Sequence, residues 1–315
     1  MGNMRNIIIA DESALFFFLH SDDSNSLLKA SFADPLLECA AKAEDFRNFN
    51  PSHPLYGGQP VHVLVSKQGE RRQSKLVICR YCPNNLPDNS FFKIRDGLFI
   101  TSPELVFARM GNIVSETCLA EIGTNLCGRY YVNHKTGKIE DRRSFLTTPK
   151  QLQQFVEKAS DLRGARKAQK ALRWVMPNSG SPMETKMALL FCSPLWRGGF
   201  ALPFAHMNYD VSAGRLANLA EQSKFCIDLA ESANHTGFEY DGEESHLDPS
   251  KDKRRRNALQ GMGWKVFVID KEVLFNPDAT IRAALQVAKH FGIRLRFPKT
   301  WSESYMQMRK ELGLS

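Results

Sequence analysis

Three carboxylates, Asp228, Glu239 and Asp241, stand at the ends of two short apolar runs in the C-terminal half of the chain. Acids placed this way can hold a divalent metal and support cleavage of a phosphodiester bond. A hard cation such as Mg2+ takes oxygen ligands at roughly 2.0–2.1 Å, usually one or two carboxylates completed by water and substrate phosphate. Asp228 and Glu239 are the expected ligands of Mg2+ or Mn2+, with help from Asp241 or Glu184. His246, Asp252 and Arg255 follow within a short stretch.

The elements that must position these residues are legible from the pattern. The runs 224–230 and 236–241 read as neighbouring strands joined by the polar turn 231–235. A strand period of two puts Glu239 and Asp241 on one face and Tyr240 on the other. Asp228 lies between Ile227 and Leu229, where an unpaired acid is costly to bury. Asp241 precedes Gly242, a common turn pair, so a turn role competes with a ligand role there.

The outer candidates carry structural alternatives. Ser181, Pro182 and Glu184 stand at N-cap, N1 and N3 of a helix, so Glu184 is either a capping-box acid reaching back to the cap N–H or an outer metal ligand. Asp252 falls in the first turns of a helix, where the macrodipole favours an acid. His246 is the candidate general base, against a plain surface histidine. The basic run 251–256 opens that same helix, and Lys253, Arg254 and Arg255 are expected to meet a phosphate backbone beside the acids rather than form only a solvated face.

These residues together resemble the PD-(D/E)XK nuclease-like superfamily, and more narrowly its branch related to very-short-patch-repair endonucleases. The resemblance is carried by Glu184, Asp228, Glu239-Tyr240-Asp241-Gly242, His246, Asp252 with Arg255, Leu259 and Gly263. It implies an αβββαβ core with a mixed central sheet. The expected elements are a helix over 182–191, strands over 206–211, 224–230 and 236–241, a helix over 249–260 and a strand over 264–269. The superfamily's lysine two residues after the glutamate is Asp241 here, a departure usual in the repair-endonuclease-like branch. It leaves the phosphate-polarising role to His246, Lys253 or Arg255, and it admits a silent enzyme. Residues 1–175 resemble the region that precedes this domain in abortive-infection and type IV antitoxin-like bacterial proteins, and the stretches 179–184 and 196–199 look like that group too.

The composition allows two packed α+β domains: 315 residues, 43% hydrophobic and 10% aromatic. The expected division is 1–176, a smaller N-terminal domain ending in a helical connector over 149–176, and 177–315, the nuclease-like domain. Forty-two Lys and Arg against 34 Asp and Glu give a net charge of +8, which suits a polyanion and makes DNA the expected partner. The apolar run 14–19 is too short to span a membrane and the first residues lack a signal-peptide layout, so a cytoplasmic, non-membrane protein is expected. Seven scattered cysteines fit reduced thiols, and Cys79 and Cys82 form a CxxC without the second pair a zinc knuckle requires.

In the N-terminal half, strands are expected over 61–65 and 75–79, a hairpin over 91–94 and 98–100, and helices over 103–110 and 115–126. Residues 149–175 read as helical, with Arg166 and Lys167 in a basic set that is either a second phosphate-contacting surface or an exposed connector. No phosphate-cradling glycine motif and no nucleophile elbow occurs. The expected function is metal-dependent cleavage of DNA in bacterial defence or repair. The alternatives are a silent DNA-binding regulator that keeps the nuclease fold, and an interaction component with a partner protein from a defence operon.

Overall fold

A computed structural model describes residues 5–22, 28–29, 35–212, 224–242 and 249–315. The chain is a mixed α+β protein with several sheets of mixed strand direction. It divides into two compact units, Met1–Arg173 and Trp174–Ser315, so the N-terminal unit spans more of the chain than the second rather than less.

The elements of the first unit are β1 (Ile7–Ile9), α1 (Asp11–His20), β2 (Leu28–Lys29), β3 (Val61–Val65), β4 (Arg72–Gln73), β5 (Val77–Tyr81), β6 (Phe91–Arg95), β7 (Leu98–Thr101), α2 (Pro103–Met110), α3 (Glu116–Leu126), β8 (Tyr130–Val132), β9 (Ile139–Asp141), α4 (Pro149–Lys158) and α5 (Ala165–Ala171). Seven strands form one sheet in the order β2-β6-β7-β1-β3-β5-β4. Its middle strand, β1, is three buried isoleucines, the composition of a strand covered on both faces. The hairpin over 91–101 forms as expected. The strand expected from residue 75 starts at Val77, because the Ser74 hydroxyl accepts from the N–H groups of Leu76 and Val77 and holds a turn there. Ser102 and Ser115 cap α2 and α3 through bonds of 3.2 Å each.

The helical stretch expected over 149–175 is instead two helices. Gly164 breaks it with a φ of +108°, and its backbone packs so closely on the end of α2 and the turn after it that an added Cβ would lie 2.6 Å from the Ala108 oxygen and 2.7 Å from the Asn112 nitrogen. Leu152, Phe155, Val156, Ala165 and Ala168 are buried, so α4 and α5 help form the first unit's core.

The second unit runs α6 (Pro182–Cys192), β10 (His206–Ser212), β11 (Lys224–Glu231), β12 (Thr236–Asp241), α7 (Pro249–Gly261), β13 (Lys265–Asp270), α8 (Lys271–Phe275), α9 (Pro277–His290) and α10 (Trp301–Glu311). The sheet order is β10-β11-β12-β13, antiparallel across the first two pairs and parallel across β12 and β13. A parallel pair needs a crossover, and α7 supplies it. From α6 to β13 each element ends within one residue of its expected limit.

Two apolar groups hold this sheet. Val211, Phe225, Ile227 and Ala230 pack with Ala258 and Leu259 of α7 and with Trp264. Phe238 packs in tilted geometry against Phe191 of α6 and against Phe204, with ring centroids 4.7 Å apart in both pairs. Gly237 is the second residue of β12, where an added Cβ would lie 2.4 Å from Cγ2 of the fully buried Ile227. Gly237→Ala is therefore expected to overpack the sheet and lower stability by about 1–3 kcal/mol in a urea titration. An unchanged midpoint would show that β11 and β12 are not packed this tightly.

Candidate functional site

The strand register brings two of the expected acids together. Leu229 pairs with Phe238, and one further step along both strands sets Asp228 across from Glu239. There the main-chain ladder gives way to a side chain: the Tyr240 N–H donates to Asp228 Oδ2 at 2.8 Å. Glu239 is buried, with Oε2 paired to Arg255 Nη1 at 2.6 Å, and Arg255 also donates to the Cys226 carbonyl. Glu239 Oε1 is buried without a hydrogen-bond partner. Asp241 closes β12, with its carboxylate 4.0 Å from Arg256. Asp228, Glu239, Tyr240, Asp241, Arg255 and Arg256 line a hollow of about 140 Å3.

Glu184 flanks this group from α6. Its N–H is capped by the Ser181 hydroxyl at 3.1 Å, as expected. Its carboxylate does not close a capping box, however, but accepts from the Gly180 N–H at 2.8 Å and from Asn208 Nδ2 at 2.6 Å. Asn208 has a φ of +47° inside β10, between the pairs Met207 with Leu229 and Tyr209 with Ile227, which places it across from Asp228. Asn178 and Asn208 clasp each other: Asn178 Nδ2 donates to the carbonyls of Met207 and Asn208, while Asn208 Nδ2 donates to the Asn178 carbonyl. Nothing in the sequence marks Asn208 for this role, because its strand is called by apolar alternation that says nothing of a left-handed residue.

The electrostatics bind the acids into one group. Burial, then the negative charge of Glu184, pushes the Asp228 carboxyl up to about 8; Glu239 adds to the rise, while the Tyr240 N–H and Arg255 oppose it. Folded Asp228 thus keeps a proton at pH values where an unfolded aspartate has lost it.

The basic candidates divide. Lys253 and Arg254 are exposed on α7, whereas Arg255 is turned onto Glu239. In the first unit Lys167 Nζ donates to the Val114 carbonyl at 2.7 Å and so ties α5 to the loop after α2, which is not the free phosphate contact expected of it. Arg166 is exposed and lines a hollow of about 660 Å3 with Lys170, Arg173, Gln153, Gln169 and Leu172, none of them acidic. His246 lies outside the described residues, as does the side chain of Asp252. Cys79 and Cys82 are buried, no disulfide joins the seven cysteines, and burial pushes the Cys79 thiol up to about 11.

Among the described residues, the group that brings three ligand atoms within 4.8 Å of one another is Asp11, Glu12 and His62 of the first unit, which the sequence reading passed over. Its signal was the same as that of Asp228: acids at the end of a short apolar run, here 7–10. No helix among the described residues is long and apolar enough to cross a membrane. No family model matches the chain, and no curated protein or solved structure matches it.

The raised Asp228 pKa makes a signed prediction. Between about pH 4 and about pH 8 the folded state binds a proton that the unfolded chain does not, so this group's contribution is full below pH 4 and is lost as pH rises towards 8. Asp228→Asn is expected to match wild type in urea unfolding near pH 4 and to exceed it at pH 8. An equal difference at both pH values would remove the titration from the account.

Proposed function

We propose that the second unit is a restriction-endonuclease-like, metal-dependent nuclease module acting on DNA phosphodiester bonds. The observation that carries this reading is the register-driven meeting of Asp228 and Glu239 in one small hollow, with Arg255 and Arg256 on its wall. The element order α6-β10-β11-β12-α7-β13, with its mixed sheet, supports the same reading.

The residues fit a divalent ion. Glu239 Oε1 is a buried carboxylate oxygen with no hydrogen-bond partner, and Asp228 offers an oxygen beyond the one facing Tyr240. Two carboxylates suffice for Mg2+ or Mn2+, the balance being water and phosphate. When bound, such an ion lowers the pKa of water and stabilises charge on a scissile phosphate. Asp228 must give up its proton to act as a ligand, so ion binding is expected to release a proton and to tighten as pH rises. Arg255 holds Glu239 in place, Arg256 lies beside Asp241, and Lys253 and Arg254 present positive charge from the same helix. His246 is the proposed base, and Glu184 acts on Asp228 through its charge.

The test is cleavage of plasmid and linear DNA with Mg2+ or Mn2+, comparing wild type with Asp228→Asn/Glu239→Gln. The expected loss is at least about 100-fold, the scale of an ion's contribution to charge stabilisation. Full activity in the folded double variant would refute the assignment.

Two observations favour a second reading, a DNA-binding regulator without catalysis. Arg255 already supplies Glu239 with a cation, and Asp241 stands where the superfamily has its lysine. That reading requires DNA retention without metal and without strand breaks. Under either reading the hollow beside Arg166, Lys170 and Arg173 is proposed to take phosphates. Replacing all three by Gln is expected to lower the slope of log affinity against log salt by about 2–3. An unchanged slope would remove this surface from the DNA path.

A further inference from the structure

We propose that the first unit holds one first-row divalent transition ion between Asp11, Glu12 and His62, at the junction of β1 and α1. The three ligand atoms lie within 4.8 Å of one another; His62 is held by β3 near the middle of the seven-stranded sheet, and Asp11 and Glu12 open α1 just after the neighbouring strand β1. Ile9 pairs with Val63, the Ala10 N–H donates to the His62 carbonyl at 2.9 Å, and the His62 N–H donates to the Ser13 hydroxyl at 3.1 Å. The ligand positions are therefore fixed by main chain rather than by flexible loops.

Each ligand has capacity for an ion. Asp11 is fully buried and adopts a φ of +49°, a conformation that aspartate tolerates better than most residues. Arg109 grips both of its oxygens, at 2.7 and 2.9 Å, which leaves each oxygen a second lone pair. His62 is 9% exposed, and its Nδ1 lies against Glu12 Oε2 in an ion-pair contact. Neither atom makes a hydrogen bond of good geometry, and both are shielded from water. An ion shared between them satisfies both.

Charge and access agree with this. The Glu12 side chain is 41% exposed, so an ion can enter from solvent past it. An imidazole beside two carboxylates shifts preference from Mg2+ towards ions that accept nitrogen, which distinguishes this site from the all-oxygen site of the second unit. Arg80, 3.6 Å from Asp11 and 3.4 Å from Glu12, and Arg109 balance the two acids when no ion is bound.

The experiment uses Mn2+ as probe and the full chain carrying Asp228→Asn/Glu239→Gln, so that the second unit's acids do not contribute. Electron paramagnetic resonance should find one bound Mn2+ per chain, with spin-echo modulation from a directly coordinated nitrogen. His62→Gln should abolish that modulation, and Glu12→Gln should weaken binding at least tenfold. Absence of a bound ion, or modulation that survives His62→Gln, overturns the proposal. If circular dichroism shows His62→Gln unfolded, the partly exposed Glu12 decides: unchanged Mn2+ affinity in Glu12→Gln overturns it. The outcome is independent of DNA cleavage, so this site and the nuclease reading stand or fall separately.

Discussion

The crowding of three carboxyl groups into one poorly solvated site is the constraint on which the candidate site of the second unit depends. Burial first, and then the charges of the neighbouring Glu184 and Glu239, raise the Asp228 pKa. Each acid is offset by a different device: a main-chain N–H for Asp228, a guanidinium for Glu239, and an amide with a second main-chain N–H for Glu184. Such a group is costly to keep, since removing one partner leaves a buried charge uncompensated. The apolar packing of Phe225, Ile227, Phe238 and Leu259 supplies the stability against which that cost is set.

The two units treat charge differently. In the second, the cation Arg255 is turned inward onto Glu239 while Lys253 and Arg254 stay exposed. In the first, Arg109 is used to fix Asp11 and Lys167 to fix a carbonyl, so only part of the chain's formal charge of +8 faces outward as free cation. Net charge alone overstates the surface a polyanion would meet. In the Arg166, Lys170 and Arg173 hollow, exposed cations cluster without a lining acid.

Much of the second unit was legible because local and tertiary signals agree there. The apolar runs that give β11 and β12 also fix the register that sets Asp228 opposite Glu239. Ser181 announced the start of α6. What could not be read was where side chains would find partners across the fold. Glu184 had the spacing of a capping box, yet Asn208, 24 residues away, took its carboxylate. Arg255 looked like a surface cation because helix periodicity does not reveal that β12 carries a buried acid beneath it. In the first unit, the glycine at 164 was invisible as a break because its cause is the close approach of Ala108 and Asn112. His62 stood in an apolar strand far from Asp11 and Glu12 in sequence, so only the pairing of β1 with β3 shows them as neighbours.

The Asn178 and Asn208 clasp carries a liability of chemical ageing. Both amides donate through nitrogen, to carbonyl oxygens and, for Asn208, to Glu184. Loss of ammonia from Asn208 would turn that donor into a further carboxylate facing Glu184 across what had been a 2.6 Å hydrogen bond. Attraction would become repulsion at the edge of a group that already strains to hold its charges. Slow hydrolysis of one amide would thus act on the acid site with no change in chain length and a shift of one unit in net charge.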